Sequence, residues 1–288
     1  MQTLNILLQF ILPHHAISRF MLWFTRVRFA PVKNAFMAFF LKVYQPDLSE
    51  AENPDAYAYE HFNAFFTRAL RAGARPLAGD ARTVVSPVDG TMNLCGPIDA
   101  NRLLQAKGHT YTLQALLAGA APAWAPRFTN GSFATIYLAP YNYHRIHMPT
   151  DGRLKSAWYV PGRLFSVNTV ASRLVDGLFA RNERLVLLFE GETGAFAVIF
   201  VGALNVGSMA TVWHGDVTPR RPREVTEIQL PPGADPFRAR GAEIGRFNMG
   251  STVIVLFAPD AAALADIASG TTMRLGQRLG ELRGAPPA

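Results

Sequence analysis

The sequence predicts an α+β protein in which an N-terminal amphipathic helical arm precedes a β-rich core domain. Two observations support this prediction. From Val84 onward, short apolar runs are separated by Gly, Pro, Asn and Asp, as in β-strands joined by turns. Before Asp47, apolar residues instead recur at helical spacing. We therefore expect a helical arm over residues 1–46 and a β-rich domain over residues 47–288.

The composition of later segments marks individual elements. The polar, acidic stretch 45–53 predicts a hinge after the arm, and the Pro- and Gly-rich stretch 231–236 predicts an exposed loop. The single Cys95 cannot form an intramolecular disulfide, which fits a reducing compartment. The predicted helices are 57–70, 113–117 and 261–268, the clearest strands are 133–138, 185–189, 197–201 and 253–257, and a loose tail covers 284–288.

The arm is both basic and aromatic. It carries part of the net charge of +7, it contains no Asp or Glu, and Phe and Trp are frequent in it. Cations interleaved with aromatic residues suit either single-stranded nucleic acid or an anionic membrane surface. The cations of the arm are Arg19, Arg26, Arg28, Lys33 and Lys42.

The helical spacing of the arm favours a membrane surface over nucleic acid. Arg19 and Arg26 lie opposite an apolar face, as in a helix lying flat among lipid headgroups. No stretch reaches the ~18 apolar residues that a span needs, and no signal peptide is recognisable. Helices that pack only on the protein's own core remain the alternative. The apolar face consists of Ile17, Phe20, Met21, Phe24 and Val27.

Two polar groups stand out in the β-rich region. Asp89 lies between two strand-like runs, although Asp-Gly is also the commonest two-residue hairpin turn. His144 and His147 follow the 133–138 strand and have the spacing of two metal ligands. Because no third His, Cys or acidic residue stands at a recognisable spacing, we expect no metal.

A third polar group precedes the 253–257 strand. Ser251 follows Gly250, whose carbonyl has no Cβ to shield it, and a hydroxyl held against such a carbonyl can attack its own peptide bond. An ordinary turn into a strand is the alternative. In chain order, Asp89, His147 and Ser251 also provide the three groups of a Ser-His-Asp arrangement, whose geometry does not depend on sequence order.

Seven blocks of the sequence together resemble the bacterial phosphatidylserine decarboxylase proenzymes, the short, membrane-associated, pyruvoyl-dependent type. The resemblance covers nearly the whole chain. Where this family usually has Leu-Gly-Ser-Thr, Met249 replaces the Leu with a similar apolar volume, so we expect no loss of function. The blocks are 62–68, 87–90, 105–109, 143–149, 159–168, 178–184 and 245–252.

The resemblance implies self-cleavage between Gly250 and Ser251. In this interpretation His147, oriented by Asp89, deprotonates Ser251, whose oxygen attacks the Gly250 carbonyl. Elimination and hydrolysis then leave a beta chain of residues 1–250 and an alpha chain of residues 251–288, which stay associated. The alpha chain begins with a covalent pyruvoyl group derived from Ser251, so the cofactor is pyruvate, without metal or pyridoxal phosphate.

The resemblance also implies the reaction and its location. The pyruvoyl ketone forms a Schiff base with the amine of phosphatidylserine, carbon dioxide leaves, and hydrolysis yields phosphatidylethanolamine. His144 is the candidate proton donor, with a purely structural role as the alternative. We expect the enzyme to lie peripherally on the cytoplasmic face of the bacterial inner membrane, with phosphatidylserine and anionic lipid as partners. The oligomeric state stays open and includes a homodimer.

Three other functions compete with this interpretation. A Ser-His-Asp hydrolase acting on lipid esters would use Asp89, His147 and Ser251 without self-cleavage and would respond to serine reagents. A pyruvoyl enzyme would instead split and respond to carbonyl reagents. A non-enzymatic basic module would bind through residues 1–46 and survive loss of Ser251. A pyruvoyl decarboxylase of a soluble amino acid would share the chemistry but would not need the amphipathic arm.

Overall fold

The computed structural model describes residues 9, 12–105, 108–167, 169–204, 208–219 and 223–284, and it has helices at the N-terminus and strands through the rest of the chain. The helices are α1 His14–Phe24, α2 Ala30–Tyr44, α3 Phe62–Phe66, α4 Leu113–Leu117, α5 Ala121–Phe128, α6 Thr169–Leu174 and α7 Leu178–Arg181. The strands are β1 Thr83–Val85, β2 Gly90–Pro97, β3 Arg102–Leu104, β4 Thr110–Thr112, β5 Ser132–Leu138, β6 Arg145–His147, β7 Gly152–Val160, β8 Arg184–Gly191, β9 Gly194–Val201, β10 Met209–Thr211, β11 Gly215–Asp216, β12 Thr226–Ile228, β13 Phe237–Arg238, β14 Glu243–Phe247, β15 Ser251–Phe257, β16 Ala262–Leu264, β17 Thr272–Met273 and β18 Arg278–Leu282.

An antiparallel sheet, nine-stranded within the described residues, forms the centre of the molecule. Its strand order is β12-β7-β8-β9-β15-β5-β2-β17, with β13 also paired to β7. Strand β15 lies between β5 and β9, and all seven of its residues are buried. The apolar run Val253–Phe257 suits this position because both faces of a central, covered strand contact other side chains. The described residues therefore confirm the predicted α+β class.

A smaller sheet carries two segments of the site. Its order is β11-β10-β14-β6, so β14, which ends three residues before Gly250, lies beside β6, which ends at His147. Two further sheets, the three-stranded β1-β18-β16 and the two-stranded β3-β4, complete the sheets of the described residues. The chain therefore enters β15 directly from a strand that is already paired to the histidine segment.

Most sequence-predicted elements are confirmed, and two are wrong. The four predicted strands and the helix at 113–117 are present. The single helix predicted over 57–70 is instead a short turn, Ala56–Ala58, followed by α3, because the His61 side chain accepts a hydrogen bond from Ala64 N and starts a new helix. The segment predicted as the helix 261–268 contains β16, which pairs with β18. Most of the predicted tail, 285–288, lies outside the described residues.

The arm packs on the protein while leaving aromatic side chains outside. Met37 and Phe40 of α2 are buried in a small core with Phe62, Phe65 and Phe66. The predicted domain boundary after residue 46 stays a prediction. In the described part of the chain, no helix combines the length and hydropathy that a membrane crossing requires. The large apolar side chains that the two arm helices and their flanks expose are Leu12, Phe20, Trp23, Phe29, Val32, Phe39, Val43 and Tyr44.

Candidate active site

The Gly250–Ser251 peptide lies where β14 gives way to β15. Ser251 is fully buried, and its backbone is opposite Leu138 of β5. Within the described structure, the Ser251 hydroxyl has no hydrogen-bond partner. Gly250 does not have a positive φ, but a Cβ at this position would lie 3.4 Å from both His144 Nε2 and the Leu138 carbonyl oxygen. A close approach, rather than an unusual backbone angle, therefore characterises this glycine.

His144 faces the cleavage peptide with an unprotonated nitrogen. Its Nδ1 donates to the Asn142 carbonyl oxygen at 2.8 Å, which leaves a lone pair on Nε2. That Nε2 is buried and has no partner among the described residues. The Phe66 ring lies 4.1 Å from the imidazole, and burial lowers the pKa of His144 to about 3. His144 is therefore a neutral proton acceptor beside Gly250.

His147 lies on the other flank of the site. Its backbone N–H donates to the Pro87 carbonyl oxygen at 2.9 Å, which ties β6 to the segment that leads to Asp89. The imidazole Nδ1 donates to the Gly241 carbonyl oxygen at 2.8 Å, and Nε2 accepts from the Tyr143 hydroxyl at 3.0 Å. Burial lowers the pKa of His147, so this imidazole is also neutral near pH 7.

The Asp89 carboxylate is held by groups other than His147. Arg75 binds it through two nitrogens at 2.9 and 2.6 Å, and the Leu275 N–H donates to Oδ1 at 2.8 Å. Within the described residues, no hydrogen bond joins Asp89 to His147 or His147 to Ser251. The three residues of the predicted triad thus share one region without the direct contacts of an assembled triad.

The strand register explains why the triad residues are neighbours. Thr91 pairs with Tyr137 on one side of β5, and Ser251 pairs with Leu138 on the other side. Asp89 and Ser251 therefore flank the same end of β5 from opposite strands, and two strand spacings separate their backbones by about 10 Å.

An apolar pocket of about 310 Å³ opens onto the cleavage peptide. Gly250 and Leu138 form its inner end, and arm helices α1 and α2 form its outer wall. The sequence pattern showed that the arm is rich in aromatics but did not show that they line the same pocket as Gly250. Besides Gly250 and Leu138, the lining residues include Met21, Phe36, Phe39, Phe40, Tyr44, Phe66, Tyr137, Pro140 and Met249.

Sequence reasoning also missed the residues that hold the acid and the two histidines. Arg75, Asn142 and Tyr143 supply these contacts. Asn142 and Tyr143 adjoin or belong to the 143–149 block, whereas nothing in the sequence pattern pointed to Arg75. In the described part of the chain, no group of three or more His, Cys, Asp or Glu side chains is arranged around a common metal position.

The described residues thus bring together a buried serine hydroxyl, a glycine peptide and a neutral imidazole, which are the groups that nucleophilic chemistry on the chain's own peptide requires. A family model described as phosphatidylserine decarboxylase matches residues 62–281, and a second, described as PSD, matches residues 4–45. The chain belongs to the phosphatidylserine decarboxylase family and is therefore a carboxy-lyase.

Curated relatives extend this match over the arm and the core together. A phosphatidylserine decarboxylase proenzyme of Pseudomonas fluorescens is 50% identical over 280 residues, which cover 96% of each chain. A proenzyme of the same name from Ectopseudomonas mendocina is 50% identical and covers 97% of this chain and 98% of its own. The protein of that name from Shewanella frigidimarina is 46% identical and covers 98% and 99%, respectively.

Proposed function

We propose that this chain is a phosphatidylserine decarboxylase that cleaves itself between Gly250 and Ser251 and then converts phosphatidylserine to phosphatidylethanolamine and carbon dioxide. The observation that carries the proposal is the Ser251 hydroxyl, which is fully buried and unpartnered among the described residues, next to a glycine peptide. A hydrolase for external esters needs a nucleophile that its substrate can reach. A hydroxyl inside β15 is instead suited to attack its own chain.

The proposed cleavage changes only bonds at residues 250 and 251. Ser251 Oγ gives its proton to a histidine and attacks the Gly250 carbonyl carbon, so that the peptide C–N bond breaks and an ester forms. Loss of the Ser251 α-proton then breaks the Cβ–Oγ bond and releases the Gly250 carboxylate. Addition of water to the resulting dehydroalanine expels ammonia and leaves the pyruvoyl group at the start of the alpha chain.

We assign the base for this cleavage to His147, oriented by Asp89, as the family resemblance implies. Support comes from the register that puts Asp89 and Ser251 on either side of β5 and from the bond between His147 N and Pro87. In the uncut chain, His147 Nε2 accepts from Tyr143. The assignment therefore requires this nitrogen to exchange Tyr143 for Ser251 before cleavage.

A second assignment for the base is favoured by one observation. His144 Nε2 already faces Gly250, carries a free lone pair and has no partner among the described residues. Under this alternative, His144 takes the Ser251 proton, and His147 only supports the loop. The two assignments predict opposite results for maturation of the His144→Ala and His147→Ala variants.

For decarboxylation, the pyruvoyl group supplies the electrophilic carbonyl that accepts the electrons of the departing carboxylate. His144 Nε2 lies beside this position, and it must take up a proton there before it can deliver one to the substrate carbon. Because burial keeps His144 neutral near pH 7, its proton is transient. The apolar side chains that line the pocket beside this position favour loss of a charged carboxylate as neutral carbon dioxide.

The arm supports a lipid substrate in the bilayer. Its exposed aromatic residues can insert among headgroups, while the pocket walled by α1 and α2 can receive the part of the lipid next to the headgroup. Three arm cations already bind protein groups: Arg26 binds Asp216, Arg28 binds Glu60, and Lys33 binds carbonyl oxygens of the 57–59 turn. Arg19 and Lys42 are exposed and available to anionic lipid.

The same proposal covers the location and assembly of the enzyme. We propose peripheral binding to the cytoplasmic face of the inner membrane, with a covalent pyruvoyl group as the cofactor. Strand β15 pairs along its length with β5 and β9, which belong to the other product of cleavage, and these pairings support lasting association of the two chains. A homodimer is compatible with this arrangement but is not required by it.

Intact mass and denaturing electrophoresis test the cleavage. Wild-type protein should give two chains that separate on denaturation. The small chain should have a lower mass than residues 251–288 with an N-terminal serine, because a pyruvoyl group replaces that serine. Ser251→Ala should remain one chain and should not release carbon dioxide from phosphatidylserine. If wild-type protein instead gives a single full-length band and its activity is lost to serine reagents, the protein is a hydrolase.

A further inference from the structure

Arg68 is a buried cation without a complete set of partners. It follows α3, and only 3% of its surface is exposed. Nη2 donates a single long hydrogen bond, 3.3 Å, to the Tyr141 carbonyl oxygen. Nε and Nη1 are buried and have no hydrogen-bond partner within the described structure. Since a buried guanidinium with unused N–H groups is costly, an anion that fills them would stabilise this arrangement.

The nearby carboxylates do not fill these positions. Asp89 is bound by Arg75, and Glu50 is bound by Arg75 at 2.7 Å and Arg274 at 3.2 Å. Asp47 is exposed and accepts from Ser49 N. The charges of Asp89 and Asp47 act on Arg68 only through space, while burial is the main influence and lowers the pKa of Arg68. The guanidinium is therefore left with donors for an oxyanion from outside the protein.

Arg68 lies within electrostatic reach of the candidate proton donor. It lines a polar cleft of about 160 Å³ together with Tyr141, Asn142 and Tyr143, the residues that lead directly to His144. The carboxylates described above and the arginines that bind them line the other part of this cleft. The same segment earlier contributes Tyr137 and Leu138 to the apolar pocket. After burial and the Asn142 hydrogen bond, the charge of Arg68 is the third influence on the pKa of His144, which it lowers. An oxyanion on Arg68 would therefore lie in the cleft that Asn142 and Tyr143 line, immediately before His144 in the chain.

We propose that Arg68 binds a phosphate ester oxyanion, and that in the reaction this is the headgroup phosphate of the lipid. The alternative anion of the substrate is its α-carboxylate. A cation on that carboxylate would stabilise the charge that must disappear as carbon dioxide leaves, which favours the ground state over the transition state. The phosphate keeps its charge throughout, so a cation can bind it without opposing the reaction. The identity of the lipid rests on the proposed function, whereas the binding of an oxyanion by Arg68 does not.

Kinetics of the mature enzyme test the substrate part of the proposal. Arg68→Gln should raise KM for phosphatidylserine by about 10- to 100-fold, the range for loss of charge-assisted hydrogen bonds, while kcat changes by less than about threefold. Arg68→Lys should recover part of this affinity because it restores the charge without the fork. Arg71→Gln is the matched control, since Arg71 is exposed and binds the Ser49 carbonyl oxygen, and its KM should equal that of wild type.

A phosphate-free serine ester separates phosphate binding from other roles. Wild type and Arg68→Gln should have the same KM for this compound. An equal rise in KM for both substrates would overturn the proposal, as would an unchanged KM for phosphatidylserine. A fall in kcat with a shifted pH profile and an unchanged KM would also overturn it, because Arg68 would then act through His144.

Thermal unfolding with inorganic phosphate as the probe needs no turnover and distinguishes a free phosphate from a lipid. If the site accepts free phosphate, the Tm of wild type and Arg71→Gln rises with phosphate concentration, and that of Arg68→Gln does not. If the site binds only the lipid, none of the Tm values rises, and the higher KM of Arg68→Gln for phosphatidylserine is the result that supports the proposal. An equal rise in all three proteins, without a KM difference, overturns it. Should Arg68→Gln fail to fold, Arg68→Lys takes its place in both measurements.

Discussion

Helix α1 of the arm and the central sheet bury opposite kinds of side chain. In β15 the apolar residues are inside, and the polar groups Ser251 and Thr252 occur only at the end that carries the site. In α1 the buried residues are His14 and Ser18, while Phe20 and Trp23 are 56% and 64% exposed. The sheet thus follows the rule for a protein in water, as does α2, which buries Met37 and Phe40, whereas α1 reverses it. An exposed aromatic face of this kind is typical of a surface that contacts a partner or a membrane.

The junction between the two regions is the place where the chemistry lies. Asn63 Nδ2 donates to the Asn248 carbonyl oxygen at 2.8 Å, and Asn248 Nδ2 in turn reaches Asp216, the partner of Arg26. A short set of hydrogen bonds therefore connects the arm to the residue two positions before Gly250. The comparison teaches that the arm and the Gly250–Ser251 peptide are built against each other rather than on separate units.

The largest effects are expected at the polar end of the sheet. Under the favoured assignment, His147→Ala should leave the precursor uncut because it removes the base, and base catalysis contributes about 10²- to 10⁴-fold. His144→Ala should be cleaved but should decarboxylate at least about 100-fold more slowly. Electrophoresis at timed intervals and carbon dioxide release measure the two steps. If His144→Ala instead stays uncut and His147→Ala matures normally, the base for cleavage is His144.

A cavity inside the sheet should cost much more stability than a change on the arm surface. Leu256→Ala should lower the free energy of unfolding by about 2–5 kcal/mol, because Leu256 is fully buried in β15. Phe20→Ser should change it by less than about 0.5 kcal/mol. Denaturant titration of both variants in the uncut Ser251→Ala background makes the comparison. Equal losses would show that the exposed face of the arm contributes to folding as the core does.

Membrane binding, unlike stability, should depend on the exposed side chains of the arm and not on the buried side chains of the sheet. Replacing Phe20 and Trp23 together by Ser should weaken sedimentation with anionic vesicles at least about tenfold, since each buried aromatic contributes about 1.5–3 kcal/mol. Cleavage should continue normally. Phe24→Ser is the matched control, because Phe24 packs on Phe36 at 5.0 Å and should affect folding more than binding. Undiminished sedimentation of the double variant would place the membrane contact elsewhere.

The two neutral histidines predict a smaller, pH-dependent effect. The folded-state pKa of His144 lies near 3, below its ordinary value of 6.5, so protonation is easier in the unfolded chain. The contribution of neutral His144 to the free energy of unfolding is therefore complete above about pH 6.5. It is lost as the pH falls toward 3, by up to about 1.4 kcal/mol per pH unit. His144→Gln in the Ser251→Ala background should flatten the dependence measured between pH 7 and 5. Parallel curves for the two proteins would contradict this origin.

The smallest effect is expected at the surface of the arm. Arg28 pairs with Glu60 at 2.8 Å, but both side chains are largely exposed. Arg28→Gln should therefore change the free energy of unfolding by less than about 0.5 kcal/mol. Its vesicle binding should weaken only slightly, since Arg28 is already paired on the protein. A large loss in either measurement would mean that this cation contributes more than an exposed ion pair can.

Local pattern was sufficient for much of the fold, while the assignment of Gly250–Ser251 as the reactive peptide stays a prediction. The strand at 253–257 and the helix at 113–117 follow from apolar runs and their boundaries, which depend on neighbouring residues only. The helix predicted over 57–70 was wrong because the His61 side chain caps a separate short helix. The segment 261–268 was wrong because pairing of β16 with a distant strand outweighs local helix preference. Long-range pairing is invisible in a local pattern.

The sequence by itself determined the α+β class, with helices before a sheet-rich core, because periodicity and residue type act over a few neighbouring positions. Tertiary structure alone decided that His144, rather than His147, faces Gly250, and that Arg75 holds Asp89. It also decided that the arm aromatics wall the pocket at the cleavage peptide. These facts depend on strand register and on which helix packs over which strand, and both are set by contacts between residues far apart in the chain.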